Sequence, residues 1–271
     1  MTADGTIYSS AHLAAAYAFS RPPVHRHVVA RLLQHLSPEL RVETALDIGC
    51  GAGVSTAALV RVARRVIGLE PYAPMLKYAS DVAAGAAFVI GRAEALPFEP
   101  AAFDLVTAAG ALNYADVELS LSEVARVMSR RGLFVPYDFS AGCRLRDDAR
   151  LSDWYAQFRK RFPSPSGYSL NLRALGYRTY GLGLLDYEEV SVGIPMSLAT
   201  YIDYLLGDAG VQDAISDGQL ESDIRRSCED GVNAVFSAGT REVMFETQIA
   251  YVRKQSNHQS TDQHIADEER D

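Results

Sequence analysis

Cysteine is scarce in this chain: Cys50, Cys143 and Cys228 are the only three among 271 residues, odd in number and far apart. That excludes a disulfide framework and suits a reducing, cytoplasmic setting. Metal-binding patterns are missing as well. There is no Cys-x-x-Cys or His-Glu-x-x-His, and the six histidines are scattered. His25 and His27 are two apart and do not share a helix face, so no metal site is expected. The Gly-x-x-x-x-Gly-Lys phosphate loop and the Gly-x-Ser-x-Gly nucleophile elbow are both absent. Positive charge is in deficit, with 26 Lys and Arg against 34 Asp and Glu, for a net charge of −8. Phosphate neutralisation needs basic patches, so a general nucleic-acid binder is excluded. No apolar run approaches the length of a membrane span, and the N-terminus has no basic-then-apolar signal pattern. What remains is a protein with a small-molecule partner, as a monomer or a homodimer.

Apolar residues are plentiful, at 48% of the chain, enough to bury a sizeable core. Their spacing divides the chain. Over residues 8–36, Leu13, Tyr17, Val24, Val28, Leu32 and Leu36 recur at helical spacing, with Pro22-Pro23 ending one helix and starting another. The period then shortens. Strands are expected at Thr44–Ile48, Arg65–Glu70, Ala87–Ile90, Phe103–Ala108 and Gly132–Tyr137, with helices at Val54–Val62, Ala73–Ala83 and Val117–Met128. Short apolar strands alternating with helices imply an α/β fold, a mostly parallel sheet covered on both faces. Residues 141–183 break the rhythm. There Leu151, Trp154, Tyr155, Phe158 and Phe162 share one helix face, followed by a loop with Pro163, Pro165 and Gly167. This reads as a cap over the carboxyl edge of the sheet. Two further strands, 187–194 and 241–252, complete the sheet. The expected organisation is a helical segment 1–40, a core 41–140, a cap 141–183, a sheet-completing part 184–254 and a polar, disordered tail 255–271.

The first strand ends in Asp47 and runs into Gly49-x-Gly51-x-Gly53. A glycine turn between strand and helix lets backbone approach a ligand closely. In dinucleotide folds this position carries Gly-x-Gly-x-x-Gly and holds a pyrophosphate. Here the last glycine of that pattern would fall at Val54, the third glycine comes one residue early, and an acid precedes the first. A phosphate-free ligand with an amino group suits such a turn better. Glu70 ends the second strand, at the distance where an acid accepts hydrogen bonds from ribose hydroxyls. An ordinary tight turn is the bland alternative, and it does not explain the combination of strand, acid, glycines, helix, strand and acid.

These residues resemble the class I S-adenosylmethionine-dependent methyltransferases, in particular small-molecule enzymes like the ubiquinone/menaquinone and trans-aconitate methyltransferases. The likeness runs from about Ala45 to Asp138. It rests on Ala45-Leu46-Asp47-Ile48-Gly49-Cys50-Gly51-Ala52-Gly53, on Val66–Leu76, on Gly91–Phe98 and on Phe103-Asp104-Leu105-Val106. The resemblance implies a Rossmann-like seven-stranded sheet with helices on both faces and a helical cap insertion. It implies S-adenosylmethionine as cofactor, S-adenosylhomocysteine as product and no metal. At the turn, Asp47 can meet the amino group directly or through water, with Gly53 closing the turn; carried over residue by residue, Gly49, Cys50 and Gly51 would line the methionine part. Glu70 would hold the ribose, and Pro71 and Met75 would flank the adenine. Ala93 would offer backbone to the adenine edge with Glu94 beside it, and the Ala109 backbone would face the methionine amino group. Tyr17 and Arg21 resemble a Tyr-x-x-x-Arg-Pro pattern that closes over the cofactor in relatives. Arg92 departs from the acid or amide common before the Ala-Glu pair, which shifts the adenine contact toward Glu94. Asn113 stands where close relatives often have His; an amide orients a substrate but does not deprotonate it.

The catalytic residue is less legible. Asp138 follows the fifth strand and reads equally as a base or a turn acid. Asn113, Tyr114, Trp154 and Tyr155 are the candidate substrate contacts, although an aromatic helix face is more often core. Cys50 reads as a small turn residue, and Arg159-Lys160-Arg161 as a solvated face. Two other functions fit the same turn: a relative that uses the sulfonium only as a fixed charge, for a cyclisation or decarboxylation, and a cofactor-binding regulatory module.

Overall fold

A computed structural model of the chain describes residues 11–36, 41–163, 170–237 and 239–255. Expectations for the tail beyond 255, for Pro165 and Gly167 and for the chain before Ala11 lie outside these residues. Two helices come first, α1 (Ala11–Ser20) and α2 (Val24–His35), separated by the Pro22-Pro23 pair. Proline cannot donate within a helix but starts one readily, which places the break there.

The sheet follows: β1 (Val42–Ile48), β2 (Ala63–Glu70), β3 (Ala87–Ile90), β4 (Phe103–Ala109), β5 (Met128–Phe139), β6 (Arg144–Leu145), β7 (Leu182–Met196) and β8 (Arg241–Lys254). Parallel pairing gives the order β3-β2-β1-β4-β5, and β8 then lies antiparallel to β5 with β7 along its outer edge. One strand exceeds the seven expected. It is the two-residue β6, which takes up the edge of β8 past the end of β5, at Val243 and Met244. The chain leaves β1 toward β2 on one side, while β4 lies on the other. This reversal opens a crevice beyond the carboxyl ends of β1 and β4, the place where open α/β sheets bind ligands.

Helix α3 (Val54–Leu59) is shorter than expected because Ala63 already begins β2. The expected helix Ala73–Ala83 is a 3₁₀ segment, Ala73–Tyr78, followed by the single turn α4 (Ala79–Val82). Pro74 removes a backbone donor in its first turn. Helix α5 (Val117–Val127) is N-capped by Asp116, whose carboxylate accepts from Leu119 N at 3.0 Å. Its Leu121 and Val124 pack on Phe103, Val106 and Phe134, closing one face of the sheet. On the other face Val28, Val29 and Leu32 of α2 cover Ala45, Val66, Leu133 and Tyr251.

The segment 141–183 does not stay together as one cap. Leu172 and Tyr177 join the core on the α5 face. Helix α6 (Arg150–Arg161) instead packs with α7 (Leu198–Leu206), α9 (Glu221–Val232) and the outer ends of β7 and β8. Together with Val211 of α8 (Ala209–Ser216) they form a second core around Tyr201, Phe245 and Phe162. The aromatic face of α6 points into that core. Trp154 stacks on Phe158 with centroids 5.3 Å apart, and its indole lies on Gly231 of α9, where no Cβ has room. Tyr155 is buried beside Phe158. The basic run is also partly structural. Arg159 grips both carboxylate oxygens of Asp208 at 2.9 and 2.7 Å, and that same carboxylate caps α8 through Gly210 N.

Since Trp154 is half-buried and stacked rather than fully enclosed, Trp154→Ala is expected to lower stability by about 2–3 kcal/mol, below the ~3–5 kcal/mol of a fully buried aromatic. Chemical denaturation checks the loss. Affinity for cleft ligands stays within twofold if the side chain serves this core alone.

Candidate active site

The glycine turn is built around one buried carboxylate. Asp47, at the end of β1, has no exposed surface. Its Oδ2 accepts Ser55 Oγ–H at 2.6 Å and Thr56 Oγ1–H at 2.7 Å, and its Oδ1 accepts Thr107 Oγ1–H at 2.9 Å. Two of those hydroxyls come from the first turn of α3 and the third from β4. The carboxylate therefore fixes where α3 starts relative to both strands. Burial raises its pKa above the usual aspartate value despite the three hydroxyl donors, which act to lower it. Asp47 does not line the cleft, so the direct contact with an amino group expected of it is not available; its carboxylate serves this internal role.

Above it the backbone turns sharply. Gly49, Gly51 and Gly53 have φ of 66°, 53° and 88°, a region that disfavours side chains. Gly49 and Cys50 donate their N–H groups to Leu69 O, at 2.8 and 3.0 Å. Gly53 faces away from the cleft, against the Ala79 backbone, so it is a packing glycine and not a ligand contact. Glu70 ends β2 with little exposed surface. Its Oε2 accepts Gly51 N at 3.0 Å and its Oε1 accepts Tyr72 N at 3.1 Å. Burial raises its pKa; the two backbone donors oppose this. Cys50 also lines the cleft, but burial and then the nearby Asp47 and Glu70 charges push its thiol pKa well up, so it is not a reactive thiolate.

These elements enclose a cavity of about 320 Å³, within the range of small-molecule sites. One end is formed by Gly49, Cys50, Gly51, Glu70, Pro71 and Met75, with Arg92, Ala93 and Glu94 beside them. Glu94 accepts Asp116 N at 3.1 Å and lies 3.6 Å from Arg92 Nε. The other end is formed by Tyr17, Arg21 and His25 from the N-terminal helices, by Ala109, Asn113 and Tyr114 after β4, and by Asp138 and Phe139 at the end of β5. Arg21 stacks on the Tyr17 ring, 3.9 Å from its centroid. Asn113 Nδ2–H donates to Asp138 Oδ2 at 2.7 Å, and Phe139 N–H to Asp138 Oδ1 at 2.8 Å. The two candidate catalytic residues thus form one hydrogen-bonded pair at the cleft wall.

Trp154 and Tyr155 are the candidate site residues that the structure removes from the cleft altogether, because the core of α6 to α9 engages them. Sequence reasoning missed His25, Tyr72, Ala111 and Phe139. His25 lies in the first turn of α2, across the Pro22-Pro23 break from Tyr17 and Arg21, so no single helical period links the three. A second cluster also escaped it. His35 of α2 lies 2.9 Å from Asp186 and 4.0 Å from Glu188 on β7. Those three would reach a metal ion together, yet Glu188 is held by Arg31 at 2.6 Å and by Tyr251 O–H at 2.9 Å. Among the described residues, no helix is long and apolar enough to cross a membrane.

Residues 46–135 match a family model described as a methyltransferase domain. The chain is similar to the uncharacterized methyltransferase YcgJ of Bacillus subtilis, 33% identical over 144 residues, which are 44% of this chain and 57% of that protein. It is also similar to the ubiquinone/menaquinone biosynthesis C-methyltransferase UbiE of Campylobacter jejuni, 25% identical over 65% of this chain and 77% of that protein. The matches span only 34–57% of the length of the first curated relatives. A solved structure of a proposed type II methyltransferase from Anaeromyxobacter dehalogenans superposes with a TM-score of 0.63 at 20% identity. That alignment covers 84% of this chain and 95% of the other, and it shows the shared fold. Over residues 46–135 the chain thus resembles methyltransferase domains, and its fold is shared with the superposed structure.

The raised pKa of Asp47 has a testable sign. A carboxyl group with a folded-state pKa above its unfolded value contributes stability that is present at low pH and lost as pH rises through the folded value. Asp47→Asn removes that titration. The stability difference between Asp47→Asn and the unaltered protein should therefore move in the variant's favour as pH rises from below 4 to 7. Denaturant midpoints at several pH values measure it, and a difference that is flat or moves the other way refutes the burial argument.

Proposed function

We propose that this protein transfers the methyl group of S-adenosylmethionine to a small-molecule acceptor. The observation that carries the reading is the single cleft joining the glycine turn, the Glu70 carboxylate and the Asn113–Asp138 pair at the switch point of the sheet. The donor set fits the cofactor. Glu70 keeps acceptor capacity for two ribose hydroxyls beyond its backbone bonds. Pro71 and the buried Met75 offer apolar flanks to an adenine. Arg21 supplies a cation for the methionine carboxylate, and the Ala109 backbone lies at the same end for the amino group.

When bound, the cofactor supplies an electrophilic methyl carbon already activated by its sulfonium. The chain's residues then have mainly to align. Gly49 and Gly51 let the backbone close on the methionine part, and Tyr17 with Arg21 shuts the cleft from the side of α1. Asp138, held by Asn113 and by Phe139 N, keeps a fixed direction toward the acceptor end. Fixed orientation of this kind lowers a bimolecular displacement barrier substantially. A protonated nucleophile also has to lose its proton, and Asp138 is the carboxylate at that wall. The third glycine comes one residue early and Val54 stands where a dinucleotide turn has its last glycine, which separates the site from a dinucleotide site.

Calorimetry should show saturable binding of S-adenosylhomocysteine and far weaker binding of NAD; the reverse preference would overturn the reading. Glu70→Gln should weaken S-adenosylhomocysteine binding by about 1.5–3 kcal/mol, the range for hydrogen bonds to a charged group. Because Glu70 also holds Gly51 and Tyr72, the variant should lose some stability as well. Turnover to S-adenosylhomocysteine with an acceptor separates methyl transfer from a fixed-charge role for the sulfonium.

A further inference from the structure

His25 stands in the first turn of α2 and lines the cleft beside Arg21, Asp138 and Phe139. Its Nδ1 lies 2.8 Å from the Tyr137 hydroxyl, in a buried contact bridging 112 positions of sequence. The ring is also held edge-on by Tyr137 and Phe139, with centroids 5.8 and 5.3 Å away. Two aromatic edges and one hydrogen bond leave it a single orientation. Burial and the neighbouring Arg21 cation lower its pKa to about 4, so the imidazole is neutral near pH 7.

A neutral imidazole has one N–H, and its position follows from the partners. Tyr137 is buried, and burial pushes its phenol pKa well up, so it keeps its proton. Among the described residues its hydroxyl has His25 Nδ1 as its hydrogen-bonding partner. If Nδ1 carried the hydrogen, the phenolic proton would be buried without an acceptor, which is costly. Tyr137 therefore donates to Nδ1, and the ring hydrogen sits on Nε2. Nε2 has no protein partner among the described residues and is not enclosed. It is a fixed N–H donor on a side chain that lines the cleft. Tyr137 stands one residue before Asp138, so a single strand end sets both the donor and the carboxylate acceptor of this wall.

We propose that His25 Nε2–H is the group that recognises the methyl acceptor, donating to a carbonyl, carboxylate, enolate or phenolate oxygen of that molecule, and that Tyr137 is the positioning residue that locks the tautomer. The proposal rests on the methyl-transfer reading of the same cleft. A neutral donor next to the Arg21 cation favours an oxygen bearing negative charge, while Asp138 on the same wall rejects one placed against it. Charged and titratable groups around the ring come from α1 as Tyr17, from the α1–α2 link as Arg21 and from β5 as Tyr137 and Asp138. An imidazole so resistant to protonation orients its partner and does not store a proton.

The test is nitrogen NMR of the histidine side chains in the full chain, with the His25 signals assigned by their loss in His25→Gln. From pH 5.5 to 8 they should show a neutral ring with hydrogen on Nε2. Tyr137→Phe keeps the ring edge and removes the hydroxyl; it should release the lock, giving mixed tautomers or a ring that protonates at higher pH. The protein is then saturated with S-adenosylhomocysteine and titrated with acetate, a carboxylate small enough for any part of the cleft. A saturable shift of His25 Nε2–H, on top of the cofactor complex, is the expected result. Three outcomes overturn the proposal: an Nδ1–H or charged ring, no response to acetate, or a response already complete on adding S-adenosylhomocysteine, which would assign His25 to the cofactor carboxylate. Failure of S-adenosylhomocysteine to bind at all is seen first by calorimetry and counts against the methyl-transfer reading itself.

Discussion

The Asp47 carboxylate, enclosed by the hydroxyls of Ser55, Thr56 and Thr107, is the constraint on which the site depends. A buried charge without donors is unstable, and three hydroxyls from three backbone positions satisfy this one. In doing so they tie the end of β1 to the start of α3 and to β4. The glycines between can then take left-handed conformations without choice. The cleft at the switch point is the space left above this knot. Glu70 repeats the device one strand over, spending part of its acceptor capacity on Gly51 and Tyr72 and keeping the rest toward the cleft.

The two ends of the cleft are supported differently. The glycine and Glu70 end rests on the parallel sheet and on hydrogen bonds between neighbouring strands. The Asn113–Asp138 end rests on side chains that reach across the fold: Arg21 on Tyr17, His25 on Tyr137 and Phe139, Asn113 on Asp138. Behind that end lies the second core, to which Val24 and the partly buried Phe139 contribute. Changes in α6 to α9 can therefore reach the Asp138 wall through Phe139 and α1, and Tyr204 of α7 already lies 5.9 Å from the Arg21 guanidinium.

Much of the glycine-turn end was legible in the sequence because its information is local. Asp47, Gly49, Gly51 and Glu70 lie on one strand–turn–helix–strand unit, where spacing alone sets geometry. What spacing cannot show is which way a buried acid faces. Asp47 looked like a ligand contact, and the hydroxyls of Ser55, Thr56 and the distant Thr107 consume it internally. Helix periodicity identified the aromatic face of α6 but not its partner; Gly231 and Tyr201 supply that partner from distant sequence. His25 was passed over as one of two histidines without a metal pattern. Its role depends on Tyr137, and no sequence period links them. The extra strand β6 is likewise a tertiary product, formed because β8 runs on beyond the end of β5.

The most direct test of the account is a crystal structure of the protein grown with saturating S-adenosylhomocysteine. The account places the ribose hydroxyls on Glu70, the adenine between Pro71 and Met75, and the sulfur turned toward the end formed by Asn113, Asp138 and His25. Electron density for the ligand in another cavity, or a cleft that stays empty at saturation while the glycine turn keeps its shape, would contradict it.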